Sequence, residues 1–271
     1  MIKKIKRTSK SRKSKIEIEN EILNDIHFNS TTTPNFNAKK KYQDLTYDLN
    51  IKFKNKKQKD LYTTILENRI TFVKGSAGTG KTFIALLAAL FALKTQEYNM
   101  KKIIFTKPYV QVVNNGSSTG FLKGTMEEKL QPYFVSFYSN LNKIVGNAWC
   151  TILKENNLIE DKLINFMRGE TFGENDMHGN PIGSIAILDE AQNTSMGEMK
   201  TYISRMGENT KLIILGDSDQ VDIKLGRNEK NGLDDAFDRF QDIPGISFIE
   251  FDEDDIVRDK FLIEVMKRYK L

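Results

Sequence analysis

Short apolar runs alternate with longer helical stretches along the chain from residue 69 onwards. Each short run has apolar residues on both faces, which is typical of buried parallel strands. Because helical stretches lie between the runs, the pattern predicts an α/β fold, a mainly parallel sheet with helices on both faces. The predicted strands are RITFVKG (69–75), KKIIFTKP (101–108), SIAILDE (184–190), KLIILGD (211–217) and ISFIEF (246–251).

The helices between these strands carry their own signals. Residues 55–68 have apolar positions at helical spacing, and 81–95 read as a long buried helix. A helix over 196–206 is predicted to begin with a capping box, in which Ser195 and Glu198 satisfy each other's backbone N–H groups.

Two regions fall outside this alternation. Residues 1–45 have few apolar anchors and are predicted to be a flexible basic arm, followed by a single domain over 46–271. Within that domain, about 109–183 mixes helical segments with a polar loop. We expect this region to be an insertion beside the sheet, where a substrate would be met.

Charge separates the arm from the rest of the chain. Residues 1–15 hold eight Lys or Arg and no acid, whereas the whole chain has a net charge of +5, so the remainder carries −3. Such an arm would either grip nucleic-acid phosphates or remain a solvated terminus. No apolar run is long enough to cross a membrane, and no secretory signal is expected. A single cysteine, Cys150, fits a reducing compartment, which predicts a cytoplasmic location.

The stretch GSAGTGKT matches the phosphate-binding pattern G-x-x-x-x-G-K-[ST], placed after a strand and opening a helix. Backbone N–H groups of such a loop, together with the helix N-terminus, bind phosphate oxygens. Lys81 is expected to reach the β- and γ-phosphates and Thr82 to hold Mg²⁺. The predicted nucleotide-binding residues of this segment are Gly75, Ser76, Ala77, Gly78, Thr79, Gly80, Lys81, Thr82 and Phe83.

Acids and amides follow two other predicted strands. Asp189 would orient Mg²⁺, and Glu190 would polarise an attacking water. Asp217 and Gln220 follow a further strand, at the edge where open α/β sheets bind ligands. Either Gln220 or Gln192 would hold that water. A turn or helix-capping role for Asp217 stays open.

Six blocks follow one another along the chain: GSAGTGKT, GFLKGTMEEKLQPY, MRGETF, LDEAQNTSMGEMKTYISRMGENTKLIILGDSDQVD, NGLDDAF and DIVRDKFLIEVMKRY. In this order they resemble the PhoH-like ATPases of bacteria and phages. The resemblance covers about 52–271 and implies a RecA-like P-loop NTPase core related to superfamily 1 helicases. It also implies ATP and Mg²⁺ as cofactors, and a phage origin is one possibility it raises.

The resemblance assigns roles to further residues. Gln58 corresponds to the helicase glutamine that reads adenine, and Gln220 to the sensor of the γ-phosphate. Arg205 or Arg258 would be the arginine finger that neutralises charge in the transition state. The alternative for each arginine is a surface ion pair.

This chain departs from the family pattern at several positions. Lys107 stands where the family usually has Arg, Lys123 where it has Pro, Glu170 where it has Arg, and Asp259 where it has His. These departures are expected to leave the ATP site intact and to change how nucleic acid is handled.

The sequence therefore predicts an ATP hydrolase coupled to binding or remodelling of single-stranded RNA or DNA, with helicase-like activity. Lys107, Tyr109, Phe121 and Lys123 combine charge with aromatic faces, as strand-tracking grooves do, although the aromatics would equally suit a core. The alternative is an assembly or switch protein with slow turnover. A nucleoside or small-molecule kinase would need an arginine-rich lid, which the sequence does not show.

One RecA-like domain supplies only half of the cleft in which a two-domain helicase closes its ATP site. A second surface must then come from another subunit, which predicts a homo-oligomer, most simply a hexameric ring.

Overall fold

A computed structural model describes most of the region after the basic arm. The described residues are 45–49, 52–110, 126–167, 169–173, 175, 178–179, 181–227, 229–257, 261 and 268, with backbone only for 96 and 126–130. The predicted arm up to residue 44 lies outside them, as do Phe121, Lys123, Arg258 and Asp259.

The described strands form one six-stranded sheet in the order β3-β2-β4-β5-β1-β6, and every neighbouring pair is parallel. Since parallel strands end at the same edge, the segments that follow β1, β4 and β5 meet there. The strands are β1 (Ile70–Lys74), β2 (Met100–Lys107), β3 (Ile159–Leu163), β4 (Gly183–Leu188), β5 (Thr210–Gly216) and β6 (Ile246–Glu250).

Helices cover both faces of the sheet, which confirms the predicted α/β class. Alternate residues of one strand point into different cores: Phe105 stacks on Phe137 with ring centroids 4.1 Å apart, whereas Ile104 belongs to the opposite core. The first three helices pack on one face and the last two on the other. The helices are α1 (Lys56–Glu67), α2 (Lys81–Lys94), α3 (Met126–Glu155), α4 (Met196–Ile203) and α5 (Gly232–Arg239).

The predicted start of α4 is confirmed in detail. The Ser195 hydroxyl accepts from the Glu198 N–H group, and the Glu198 carboxylate accepts from the Ser195 N–H group. The α3 helix spans 30 residues and bends at Gly146, whose φ is +80°. Within the described part of the chain, no helix has both the length and the apolar character needed to cross a bilayer.

The region expected to be an insertion contributes to the sheet itself. Strand β3, with the sequence IEDKL, pairs with β2 and forms one edge of the sheet. Its three central residues are polar and half-buried, so the strand lacks the apolar run on which the other predictions rested. The α3 helix also packs on the sheet through Phe134, Phe137, Leu141 and Ile144.

The first described residues, from 45 onwards where the predicted arm ends, are already part of the core. Leu45, Tyr47 and Leu49 are buried in the first core. The Tyr47 hydroxyl donates to the Leu90 carbonyl oxygen at 2.6 Å, and its ring meets Trp149 edge-on. These contacts tie the first described residues to α2 and α3.

Candidate functional site

The glycine-rich loop connects β1 to α2 and has no room for larger residues at two points. A Cβ atom at Gly75 would lie 2.5 Å from the Cβ atom of Phe251, and Gly75 has a φ of +152°. A Cβ atom at Gly80 would lie 2.8 Å from Nε2 of Gln58, with a φ of +89°. Both positions require glycine because of space and backbone conformation together.

The loop is held from behind by other parts of the chain. Gln58 donates through Nε2 to the Thr79 carbonyl oxygen at 2.8 Å, and the Val257 N–H group donates to the Gly78 carbonyl oxygen at 2.9 Å. The Gly75 N–H group donates to the carbonyl oxygen of Gly216 at 3.2 Å. These bonds fix the shape of the loop without any ligand.

Lys81 and Thr82 open α2, as predicted. The Lys81 ammonium donates to the carbonyl oxygens of Gly75 and Ser76, the second at 3.0 Å, so it lies over the loop. The Thr82 hydroxyl donates to Oδ1 of Asp189 at 3.1 Å. A hydroxyl oxygen and a carboxylate oxygen that lie side by side are the kind of ligands that Mg²⁺ binds.

The acids at the end of β4 differ in their surroundings. Asp189 is buried, and burial raises the pKa of its carboxyl above the ordinary value, although the nearby Lys107 ammonium, 3.8 Å away, opposes that shift. Glu190 is half-buried and adopts the left-handed conformation with φ +59° and ψ +37°. A non-glycine residue in this region is unusual and is found disproportionately at functional sites.

The amide of Gln192 is completely buried between the ends of β4 and β5. Its Nε2 donates to Oε2 of Glu190 at 2.8 Å and to the Gln220 carbonyl oxygen at 3.0 Å, while its Oε1 accepts from the Asp217 N–H group at 2.9 Å. Because both ends of the amide are occupied by the protein, the structure favours a structural role for Gln192 over the predicted contact with water. The Gln220 side chain donates to Oδ2 of Asp217 at 2.7 Å.

Lys81, Thr82, Asp189 and Glu190 line a cavity of about 470 Å³, a volume typical of small-molecule sites. We call residues 75–83, together with Asp189 and Glu190, the loop wall; Ala77, Gly78 and residues 80–83 are its loop and helix residues that line the cavity. Asp217 and Gln220 also line the cavity. The structure thus brings together the predicted phosphate-binding, metal-binding and acid residues.

A second side of the cavity was not predicted. Ser136, Asn140 and Lys143 of α3 line it, and we call these three residues the α3 wall. Their spacing of four and three residues places them on one face of the helix. The sequence carries a signal for these positions only in that they are polar and fall between the apolar residues Phe134, Phe137, Leu141 and Ile144 of the same helix; nothing in it places them against the loop.

Lys107 joins the two walls. Its ammonium lies 3.8 Å from Oδ2 of Asp189 and donates to the Ser136 hydroxyl at 3.4 Å. The departure from the family pattern at this position therefore lies at the cavity, and not only among residues expected to face a substrate.

Two other predicted residues, Gln58 and Arg205, do not line the cavity. Gln58 is buried, and its amide is engaged with Thr79 and with the Lys54 N–H group, so reading adenine would require it to change partners. Arg205 lies between α4 and the start of β5, where its carbonyl oxygen accepts from the Phe172 N–H group at 2.7 Å. That edge of the sheet is opposite the loop, so Arg205 does not reach the cavity of its own subunit. Arg258 is outside the described residues.

Comparison with known proteins agrees with this geometry. The family model described as "PhoH-like protein" matches residues 50–270. A PhoH-like protein of Bacillus subtilis (strain 168) is 36% identical over 219 residues, covering 81% of this chain and 64% of the relative. Protein PhoH of Escherichia coli (strain K12) is 33% identical over 218 residues, covering 80% of this chain and 57% of the relative.

The chain spans about three fifths of the length of these relatives. Among solved structures, Bacteroides Pif1 bound to ssDNA is similar with a TM-score of 0.32 and 13% identity, covering 79% of this chain and 45% of that one. The family match covers nearly all of the described domain, in which the phosphate loop and the acids Asp189 and Glu190 lie at one edge of the sheet. The chain therefore belongs to the PhoH-like protein family.

Proposed function

We propose that this protein binds ATP in the cavity between the loop wall and the α3 wall and hydrolyses it. The observation that carries the proposal is the meeting of Lys81, Thr82, Asp189 and Glu190 in one cavity, from the ends of two separate strands. A phosphate loop alone indicates that phosphate is held. An acid beside it supplies the base that hydrolysis needs.

Four residues of the loop wall have distinct roles in this proposal. Lys81 moves from the loop carbonyls to the β- and γ-phosphates, whose negative charge it neutralises. Thr82 and Asp189 would hold Mg²⁺, which supplies positive charge to the phosphate oxygens when bound. Glu190 orients the attacking water and accepts its proton.

Completion of the site by a neighbouring subunit is also part of the proposal. Arg205 lies at the edge of the sheet opposite the loop, so it would act only in the cavity of an adjacent copy. A closed ring, expected to be hexameric, presents that edge of one subunit to the cavity of the next. The dependence on ATP and the single cysteine fit the cytoplasm.

Exposed aromatic side chains at the same edge of the sheet as the cavity support contact with single-stranded RNA or DNA. Tyr109, which follows β2, is 44% exposed, and Phe166, which follows β3, is 54% exposed. The Tyr109 N–H group donates to Oδ1 of Asn165 at 3.3 Å, and its ring lies 5.9 Å from that of Tyr133. Bases stack on such rings without regard to sequence. Lys107, at the end of the same strand, links this surface to Asp189.

The test is phosphate release from ATP with no polymer, with single-stranded RNA, with single-stranded DNA and with duplex DNA. We expect Mg²⁺-dependent release that a single strand stimulates and that Lys81→Ala abolishes. Equal release by Lys81→Ala would overturn the assignment of the cavity. Slow release that no polymer stimulates would instead favour an assembly or switch protein.

Stimulation can be traced to the aromatic surface by variants. Tyr109→Ala and Phe166→Ala should reduce stimulation by a single strand while leaving the unstimulated rate unchanged. Ile243→Ala is the matched control, because Ile243 is also an exposed apolar residue but precedes β6, at the opposite edge of the sheet. If the control loses stimulation equally, the aromatic surface is not the binding surface.

A further inference from the structure

The Gln192 amide forms part of a closed set of hydrogen bonds. It binds Glu190, the Gln220 carbonyl oxygen and the Asp217 N–H group, while the Gln220 side chain returns to the Asp217 carboxylate. The Gln220 N–H group also donates to the Asp217 carbonyl oxygen at 3.0 Å. One buried side chain thus connects the acid that follows β4 with the turn that follows β5.

The end of β5 is shaped to receive this amide. A Cβ atom at Gly216 would lie 2.8 Å from Oε1 of Gln192 and 3.1 Å from its backbone nitrogen. It would also lie 2.4 Å from Cδ2 of Leu233. Only a glycine at position 216 leaves room for the Gln192 amide. The amide is buried there, so loss of one of its hydrogen bonds would lower the free energy of unfolding.

The bond to Glu190 has a direct geometric effect. A glutamate side chain is flexible, and an acid acts as a base only when its oxygen is directed at the proton it accepts. Because Nε2 of Gln192 donates to Oε2 of Glu190, the protein fixes one oxygen of this carboxylate. The other oxygen can then be directed at the attacking water. The same nitrogen holds the Gln220 carbonyl oxygen, so movement of that turn changes the position of Glu190.

We propose that Gln192 is a positioning residue that keeps the Glu190 carboxylate aligned only while the Asp217–Gln220 turn is in place. A γ-phosphate that engages Gln220 would hold the turn and thereby the acid, whereas its departure would release both. This inference rests on the proposed hydrolysis and adds a coupling between the sensing turn and the acid.

The test uses Gln192→Met, which keeps the volume of the side chain and removes its hydrogen bonds. We expect kcat to fall about 10- to 100-fold, as for other residues that orient a functional group. Affinity for a fluorescent ATP analogue should change less than about threefold, because Gln192 does not line the cavity. Should this variant not fold, Gln192→Asn decides, since the shorter side chain keeps an amide in the site but no longer reaches Oε2 of Glu190; the same loss of kcat is expected.

Asn193→Leu is the matched control. Asn193 is the next residue and also a buried amide, but it binds Asp222 through both of its ends. We expect it to lower the melting temperature about as much as Gln192→Met and to keep kcat within about threefold of the wild type. Equal loss of kcat in the control would mean that any damage to this segment suffices, and the inference would fail.

The double variant Glu190→Gln, Gln192→Met separates positioning from an independent effect. If Gln192 acts through Glu190, the double variant should turn over no more slowly than Glu190→Gln alone. A further drop, or wild-type kcat in Gln192→Met, overturns the inference while leaving the proposed hydrolysis intact. A wild-type protein without Mg²⁺-dependent turnover overturns both.

Discussion

The two walls of the cavity are built in different ways. The loop wall is rigid, since glycines with no room for a Cβ atom and hydrogen bonds from Gln58 and Val257 fix its shape. The α3 wall consists of polar side chains on a helix, of which Ser136 and Lys143 are exposed. Lys107 lies between the walls, with its ammonium 3.8 Å from Oδ2 of Asp189 and 3.4 Å from the Ser136 hydroxyl. The shape of the loop wall is thus set by backbone and buried contacts, whereas the α3 wall presents polar side chains to the cavity.

The largest effect is expected from the loop wall. Lys81→Ala removes the cation that lies over the loop, so turnover should fall by about 10³-fold or more, because the transition state loses its fixed positive charge. Phosphate release under saturating ATP measures this loss. An unchanged melting temperature would show that the fold survives. Turnover within tenfold of the wild type would contradict the assignment.

Glu190→Gln should separate chemistry from binding within the loop wall. The amide cannot accept the proton, so we expect kcat to fall about 10²- to 10³-fold while nucleotide affinity stays within about threefold. Single-turnover kinetics and titration with a fluorescent nucleotide measure the two quantities. A parallel loss of affinity would show that Glu190 serves binding and not proton transfer.

Lys143→Ala tests whether the α3 wall meets the nucleotide at all. Removal of an exposed cation at the cavity should raise the Kd for ATP by about 3- to 10-fold, a smaller effect than at Lys81 because solvent screens the charge. The matched control is Lys154→Ala, on the same helix but over the ring of Tyr138 and away from the cavity. Equal affinities of the two variants for ATP would show that Lys143 of the α3 wall does not contact the nucleotide.

The smallest effect is expected at Asp234 of α5, on the free energy of unfolding at acidic pH. Burial alone would raise the pKa of Asp234, but hydrogen bonds from Lys74 and Ser218 outweigh it and leave that pKa lowered. In the window below about pH 5 the unfolded chain binds more protons at this group, so the stability it contributes is lost as pH falls through the lowered pKa. Asp234→Asn should therefore show a shallower loss of unfolding free energy between about pH 5 and 3, measured by urea denaturation at each pH. Identical slopes would contradict this expectation.

Much of the loop wall could be predicted because its chemistry depends on residues adjacent in sequence. Gly75 to Thr82 follow an apolar strand and open a helix, and the pattern alone specifies that backbone. Five of the strands were predicted for a similar reason, since each is a short apolar run. Four of them are largely buried, whereas β6 lies at an edge of the sheet and is half-buried. Strand β3 was missed because Glu160, Asp161 and Lys162 make an edge strand resemble a polar loop.

The α3 wall could not be predicted, because it depends on how a helix is rotated against a distant strand. That rotation is set by contacts such as Phe137 on Phe105, which join residues far apart in sequence. Gln192 illustrates a second limit. Its residue type suggested a contact with water, and only the positions of Asp217 and Gln220 show that both ends of its amide are already used.

The support of the loop by Phe251 and Val257 has a consequence for synthesis of the protein. The ribosome makes Phe251 about 170 residues after Gly80, an interval of roughly 10 to 30 s at ordinary elongation rates. During that interval the loop emerges without the segment that backs it and without the β6 strand beside β1. A chain whose translation stops after β5 therefore carries the complete phosphate-binding sequence but an unsupported loop. If the cavity binds ATP as proposed, we expect nucleotide binding only after synthesis has passed β6.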